Sequence, residues 1–305
     1  MSTSRHAAQR SCVDEAREIF RDRHRFSADI VDRALEAFGE AWADRFDEAL
    51  RAMFPTSEAL AAAIKGYASF AMTSLRLQAR FERAGAYQAK SYAEAAAQVY
   101  HNPAFMQSEY LPGLFLSHYL WPHHYRQIRF FETAFLEPFG PRGAQDFLEV
   151  GVGTGLYSRI ALQAAGAARG RGIDISESSK LFAERQMEAF GLADRYAVDL
   201  EDVIVDTPAS SAASLICVEV LEHLEDPVEF LRALRRVLRP GGRAFVTAAL
   251  NAAHTDHIYL YRNAMDVETQ LLDAGFNVEQ FFVGQAYAPP RPLVPVPLAA
   301  AFIVH

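Results

Sequence analysis

Cysteine is nearly absent from this chain: two occur in 305 residues, Cys12 and Cys217. Two thiols make no disulfide framework, and Cys217 lies inside an apolar strand-like run, so a reducing, cytoplasmic setting is the expectation. No apolar run reaches the roughly 18 residues needed to span a bilayer. The polar opening MSTSRHAAQRSC has none of the layout of a secretory signal. Long basic runs are also missing. The net charge is −8, from 30 Lys and Arg against 38 Asp and Glu, which argues against a nucleic-acid backbone as partner. There is no GxxxxGK[ST] loop and no Walker lysine, which disfavours nucleoside triphosphates. What remains is 50% apolar and 22% charged, a composition that suits a water-soluble globular chain with a substantial core and length enough for two domains.

The stretch Asp146–Gly155, DFLEVGVGTG, organises the rest. Its first part reads as a buried strand. A glycine loop follows, Gly151-Val-Gly-Thr-Gly155, and then an apolar helix start, Leu156 to Ala165. Strand, glycine turn and helix in that order present backbone N–H groups and a helix N-terminus at the C-terminal edge of a parallel sheet. Glycine is needed there because the turn is tight and a ligand must approach bare backbone. The spacing is G-x-G-x-G, not the G-x-G-x-x-G of dinucleotide folds, and an acidic residue, Glu149, stands two positions before the first glycine.

Downstream, strand and helix patterns alternate: strands at 171–174, 196–199, 214–218 and 243–249, and helices at 178–190 and 227–238. Such alternation predicts a parallel sheet covered on both faces. The last two strand patterns, 277–283 and 298–304, are joined by a proline-rich loop without a crossover helix, so they should pair antiparallel. Upstream, residues 12–54 carry apolar positions at helical spacing, with Ser27 as a candidate N-cap and Pro55 as the stop. Thr56 should cap a second helix, which Gly85 ends after Arg83. Ser91-Tyr-Ala-Glu94 has the form of a capping box. The first hundred residues therefore read as all-helical, with core stripes and no written chemistry. Residues 100–139 are dense in aromatics and histidines, punctuated by Pro103, Pro112 and Pro122, with a helix expected from Pro122 to Leu136.

Three further motifs complete the pattern: VEVLEHLEDP at 218–227, LRPGG at 238–242 and AGF at 274–276. Together with the glycine loop they resemble the class I S-adenosylmethionine (SAM) methyltransferases, nearest to the E-x-x-E-H group around the ubiquinone-pathway O-methyltransferases. The resemblance covers about residues 140–285 and implies an α/β fold: a Rossmann-like, seven-stranded, mostly parallel sheet with a terminal antiparallel pair. Here an N-terminal all-helical cap is added to it. The expected division is residues 1–140 as cap and substrate region and 141–305 as the SAM-binding domain.

Carried over residue by residue, the resemblance implies SAM contacts at Glu149, Gly151, Gly153, Gly155, Asp174, Ile175, Asp199, Leu200 and Val218. Asp174 would hold the ribose diol, since a carboxylate accepts two hydrogen bonds. Asp199-Leu200 would clamp adenine, Glu149 would steer the methionyl amino group, and Val218 and Glu219 would emerge beside the methyl. In this family the segment before the glycine-loop strand often folds over the cofactor, and aromatic faces there suit a sulfonium cation. Tyr110, Tyr119, Trp121, His123 and Tyr259 are the substrate-lining candidates. A phenol or carbon acid benefits from a nearby base; His257 is the first candidate, with Glu219 and His118 behind it. Some E-x-x-E-H relatives hold a divalent metal, and the corresponding set here would be Glu219, Glu222, His223 and His257, with 219, 222 and 223 sharing a face if a helix begins at Glu219. Packing or hydrogen-bonding roles for these side chains are the plainer reading, so SAM is the expected cofactor and a metal is not favoured.

The expected activity is methyl transfer to O, N or C of a small, aromatic or partly apolar metabolite by in-line displacement with a histidine base, with no nucleic-acid or membrane partner and a homodimer through the long helices left open. Two alternatives use the same cofactor motifs: aminocarboxypropyl transfer or cyclisation releasing methylthioadenosine, and a non-catalytic SAM-binding interaction protein.

Overall fold

The computed structural model describes residues 11–137, 146–166, 168–289 and 294–305. The expected boundary at 140/141 lies outside them.

The run expected over 12–54 divides into three helices, α1 (Cys12–Arg23), α2 (Ile30–Phe38) and α3 (Glu40–Met53). Gly39, at φ +74°, separates the last two. Ser27 does not cap a helix; it closes a short 3₁₀ turn, and the side-chain cap in this region is Ser11, which accepts from the Val13 N–H at the start of α1. The other local expectations hold. Thr56 accepts from the Ala59 N–H and opens α4 (Ser57–Ala84), which ends at Gly85 in the left-handed region. Ser91 and Glu94 form a capping box on α5 (Tyr92–Gln98). Each such cap contributes about 1 kcal/mol. Beyond them come the single turn α6 (Pro103–Phe105), α7 (Leu111–Leu120) and α8 (Pro122–Phe130), with wider π-type turns at Met106–Tyr110 and Phe131–Leu136.

The second half builds the sheet. Its strands are β1 (Phe147–Val150), β2 (Gly170–Asp174), β3 (Tyr196–Leu200), β4 (Ala212–Cys217), β5 (Leu238–Leu250), β6 (Val278–Gln285) and β7 (Leu298–Val304), in the order β3-β2-β1-β4-β5-β7-β6. The first five are mutually parallel, and β7 runs antiparallel to both β5 and β6. Helices α9 (Leu156–Ala164), α10 (Glu177–Ala189), α11 (Pro227–Val237) and α12 (Ala264–Asp273) cover it.

Strand alternation sorts the core into two layers. Along β5, Ala244, Val246 and Ala248 join a cluster with Phe230, Leu234 and Leu271 of α11 and α12. Phe245 faces the other way and joins Tyr157, Phe131 and Phe135 in a cluster that continues into the cap through Phe115, Phe46 and Trp42. Cap and sheet therefore share one core. Trp42 is fully buried and donates its indole N–H to the Tyr119 carbonyl at 2.9 Å. The site lies where this shared layer opens at the C-terminal ends of β1, β2 and β4.

Candidate functional site

A single cavity of about 770 Å³ runs from the glycine loop into the helical cap. That size accommodates a nucleoside-like cofactor together with a small second ligand.

The floor is the loop after β1. Gly151, Gly153 and Gly155 all have positive φ, between +49° and +74°. A Cβ on Gly151 would lie 2.6 Å from Val220 Cγ2, and one on Gly155 2.8 Å from Ala183 Cβ, so backbone conformation and close packing both require glycine. Asp174, at the end of β2, ties this loop: its carboxylate accepts from the Gly153 N–H at 3.2 Å and from Ser176 N–H at 2.8 Å. Burial raises its pKa, and those amide donors counteract the rise. Beneath the loop, Glu149 accepts from the Ser158 and Tyr196 hydroxyls. Burial pushes its carboxyl to about 8, with those two donors pulling the other way.

Of the expected cofactor contacts, Glu149, Gly151, Gly153, Asp174, Ile175 and Val218 line the cavity. Gly155 serves the turn and the packing against α10. Asp199 and Leu200 are not on the cavity wall. Asp199 accepts from Arg171 Nε at 2.8 Å, and Leu200 is 48% exposed. The wall beyond β3 is made by Glu201, Asp202 and Val203 instead.

The segment after β4 departs from expectation in its backbone. No helix begins at Glu219. That residue sits at φ +52°, which costs an L-residue about 1 kcal/mol or more. Thr247 of β5 holds it there, accepting from the Glu219 N–H at 2.9 Å and donating to its carboxylate at 2.7 Å. The following turn, Leu221–His223, is 3₁₀. Glu222 is completely buried, and neither carboxyl oxygen has a hydrogen-bond partner among the described residues. Burial, then the charge of Glu219, raises its pKa well above the ordinary carboxyl range.

Ligand atoms of Glu222, His223 and His257 lie within 4.8 Å of one another; Glu219 is not in this group. His223 Nδ1 faces the Asp256 carbonyl at 3.2 Å, and His257 Nδ1 faces the Ala252 carbonyl at 2.6 Å. A carbonyl only accepts, so both rings donate from Nδ1, and Nε2 is the nitrogen left to meet a ligand. One unsatisfied carboxylate and two free imidazole nitrogens fit a divalent transition-metal cation. Burial, followed by the nearby His223, lowers the His257 pKa to about 3, leaving that ring neutral at pH 7.

The cap forms the opposite wall. Tyr110, His118, Trp121 and His123 line the cavity. His118 belongs with His123 and His124 to a second, buried group of rings on α7 and α8. Burial lowers the pKa of all three. Tyr119 and Tyr259 are elsewhere: Tyr119 stacks on Phe46 and accepts from Arg159, and Tyr259 accepts from Gln270 and packs on Tyr261. Sequence reasoning singled out neither His254 as a site residue nor Asp256, the buried carboxylate between the imidazoles. The one available signal was the H-x-D-H spacing at 254–257.

Residues 148–246 match a family model described as a methyltransferase domain. A stretch of 101 residues is 31% identical to the ubiquinone biosynthesis O-methyltransferase of Pseudomonas paraeruginosa, covering 33% of this chain and 42% of that protein. A stretch of 115 residues is 32% identical to the enzyme of the same name from Xanthomonas axonopodis pv. citri, covering 38% and 46%. The matched stretches thus span less than half the length of those relatives. Among solved structures, mitomycin 7-O-methyltransferase MmcR shares the fold at a TM-score of 0.54 and 16% identity, over 80% of this chain and 71% of that one. A phosphoethanolamine N-methyltransferase 2 from Haemonchus contortus, solved with SAM, does so at 0.50 and 15%, over 70% and 60%.

Proposed function

We propose that residues 148–246, which match a family model described as a methyltransferase domain, form a class I SAM-dependent methyltransferase domain, and that this chain methylates a small, flat, partly apolar acceptor held between sheet and cap. The observation that carries the reading is continuity: the polar cradle at Gly151–Asp174 and the aromatic chamber at Phe70, Tyr110 and Trp121 are walls of one cavity. An acceptor in the chamber therefore meets whatever the cradle holds, and no polymer-sized groove is required.

SAM, when bound, supplies an electrophilic methyl on a sulfonium. The chain's own residues position and desolvate. Glu149 and the loop amides would hold the amino-acid half, Asp174 the ribose, and Ile175 with Asp202 and Val203 the adenine. The strained Glu219, beside Val218 on the cavity wall, would lie near the transferable methyl. Rings of the cap exclude water, which favours an in-line displacement from a sulfonium.

The unsatisfied Glu222 favours one addition. Glu222, His223 and His257 would hold a divalent cation, and the chemistry such an ion supplies is lowering the pKa of an acceptor hydroxyl. Dialysis against a chelator, followed by add-back of Zn²⁺, Mn²⁺ or Mg²⁺, tests it: turnover lost and restored supports the cation, and unchanged turnover removes it.

The reaction is tested with methyl-labelled SAM and a panel of small phenols, amines and carbon acids, reading both label transfer and the nucleoside product. Label in the acceptor with S-adenosylhomocysteine (SAH) released is the expected result. Methylthioadenosine would instead indicate alkyl transfer or cyclisation, and absence of any product across the panel would favour a binding role.

A further inference from the structure

Between the cap and the histidine cluster lies one side chain to which both are tied. Asp256 is fully buried. Its Oδ2 accepts from the Tyr100 hydroxyl at 2.9 Å and from the Tyr110 hydroxyl at 2.7 Å, and its Oδ1 lies 2.9 Å from His254 Nδ1. His223 Nδ1 is 3.4 Å from Oδ2. With Oδ2 taking both tyrosine hydroxyls, Oδ1 is left to accept from the His254 Nδ1–H, and Nε2 is the ring nitrogen available to an acceptor. That Nε2 is buried and has no hydrogen-bond partner among the described residues, and His254 is part of the cavity wall, with its ring against Phe70 and Tyr110.

We infer that His254 is the base for the acceptor and that Asp256, held in place by two tyrosines of the cap, is its positioning residue. This rests on the methyl-transfer reading and replaces His257 as first candidate. Geometry separates the two rings. His257 is backed by a neutral carbonyl, whereas His254 has a carboxylate behind its Nδ1–H. A carboxylate there fixes the tautomer and stabilises the imidazolium that forms when Nε2 takes a proton, as in the Ser-His-Asp triad. In the step itself, His254 Nε2 takes the acceptor's O–H or N–H proton while the acceptor's lone pair forms the new bond to the methyl carbon. The S–CH₃ bond breaks with its electron pair left on sulfur, so the donor leaves as neutral SAH. The imidazolium then returns its proton to solvent.

The cap's role is stitched in at several points. Besides the two tyrosines, Gln78 of α4 accepts from the Ala253 N–H at 3.1 Å, and Lys90 donates to the Thr255 carbonyl. Residues on both sides of His254 are thus fixed by α4, which also walls the acceptor chamber, and by the connection between α4 and α5. The base is in register only when the cap is docked, so the chamber and the base are assembled together.

The test uses this whole chain saturated with SAH or supplied with SAM and the acceptor identified by label transfer. His254→Ala should lose at least 100-fold in kcat, the scale of general-base catalysis, with SAH affinity unchanged, and added imidazole should restore part of the rate. Imidazole rescue is not expected of a residue whose role is packing. Asp256→Asn should lower kcat with little change in the acceptor KM. It should also move the ¹⁵N signals of the His254 ring from a fixed Nδ1–H tautomer to an averaged pattern. Tyr110→Phe should give a smaller change in the same direction. Wild-type turnover with an undiminished kcat in folded His254→Ala, or a His254 tautomer indifferent to Asp256→Asn, overturns the inference alone. A wild-type protein that transfers no methyl overturns the functional reading beneath it.

Discussion

Replacing Glu149 with glutamine should stabilise the ligand-free protein, increasingly so as pH rises. Glu149 is 2% exposed at the end of β1, and burial, opposed by the Ser158 and Tyr196 hydrogen bonds, lifts its pKa from 4.5 to about 8. The native state therefore holds a proton between those two values that the unfolded chain has released. Stability is fully present below the unfolded value and is lost as pH rises through the folded one, at about 1.4 kcal/mol per pH unit where the slope is steepest. Across the whole window the ceiling is roughly 5 kcal/mol. Glutamine has the same shape, offers an oxygen to Ser158, and does not titrate. Between pH 5.5 and 8 the variant's stability advantage should grow by about 3 kcal/mol, worth roughly 6 °C in melting temperature for a chain of this size. Urea unfolding followed by circular dichroism at several pH values measures it directly, and other titrating groups cancel between the two proteins. Parallel pH–stability curves would refute the buried, protonated Glu149.

Gly151→Ala should cost at least tenfold in SAH affinity by calorimetry while leaving the helical signal intact, since its Cβ would press to 2.6 Å from Val220 at φ +72°; unchanged affinity would show that the loop does not cradle the ligand. Asp202→Ala should weaken SAH binding, whereas Asp199→Ala should leave it within about twofold. Asp199 is half exposed and engaged with Arg171, a surface pairing that contributes about 1 kcal/mol or less to stability. The reverse order of effects would return the adenine contact to Asp199.

Much of the fold was legible because its signals are local. The glycine loop, the capping residues Thr56 and Ser91, and the alternation after residue 146 each follow from neighbours in sequence, and the structure places them as read. The antiparallel β6–β7 pair follows from connection length alone. What escaped depends on contacts distant in sequence. Glu219 abandons the helical geometry its E-x-x-E-H spacing suggests because Thr247, 28 residues on, holds its backbone in the left-handed region. Asp199 turns to Arg171 because β2 and β3 pair with Arg171 opposite Ala197 and Ile173 opposite Asp199. Asp256 has no local mark of importance; its partners Tyr100 and Tyr110 stand 156 and 146 positions away. Ser27 failed as a cap because the chain forms a 3₁₀ turn there and Gly39 sets the break that the apolar spacing concealed.

Titration calorimetry of SAH into the purified protein at neutral pH, with Asp174→Ala alongside, addresses the sulfonium-donor cradle most directly. One molecule bound per chain, with affinity reduced at least tenfold in the variant, is the predicted result. No heat from SAM or SAH, with a nicotinamide or flavin bound in their place, would contradict it.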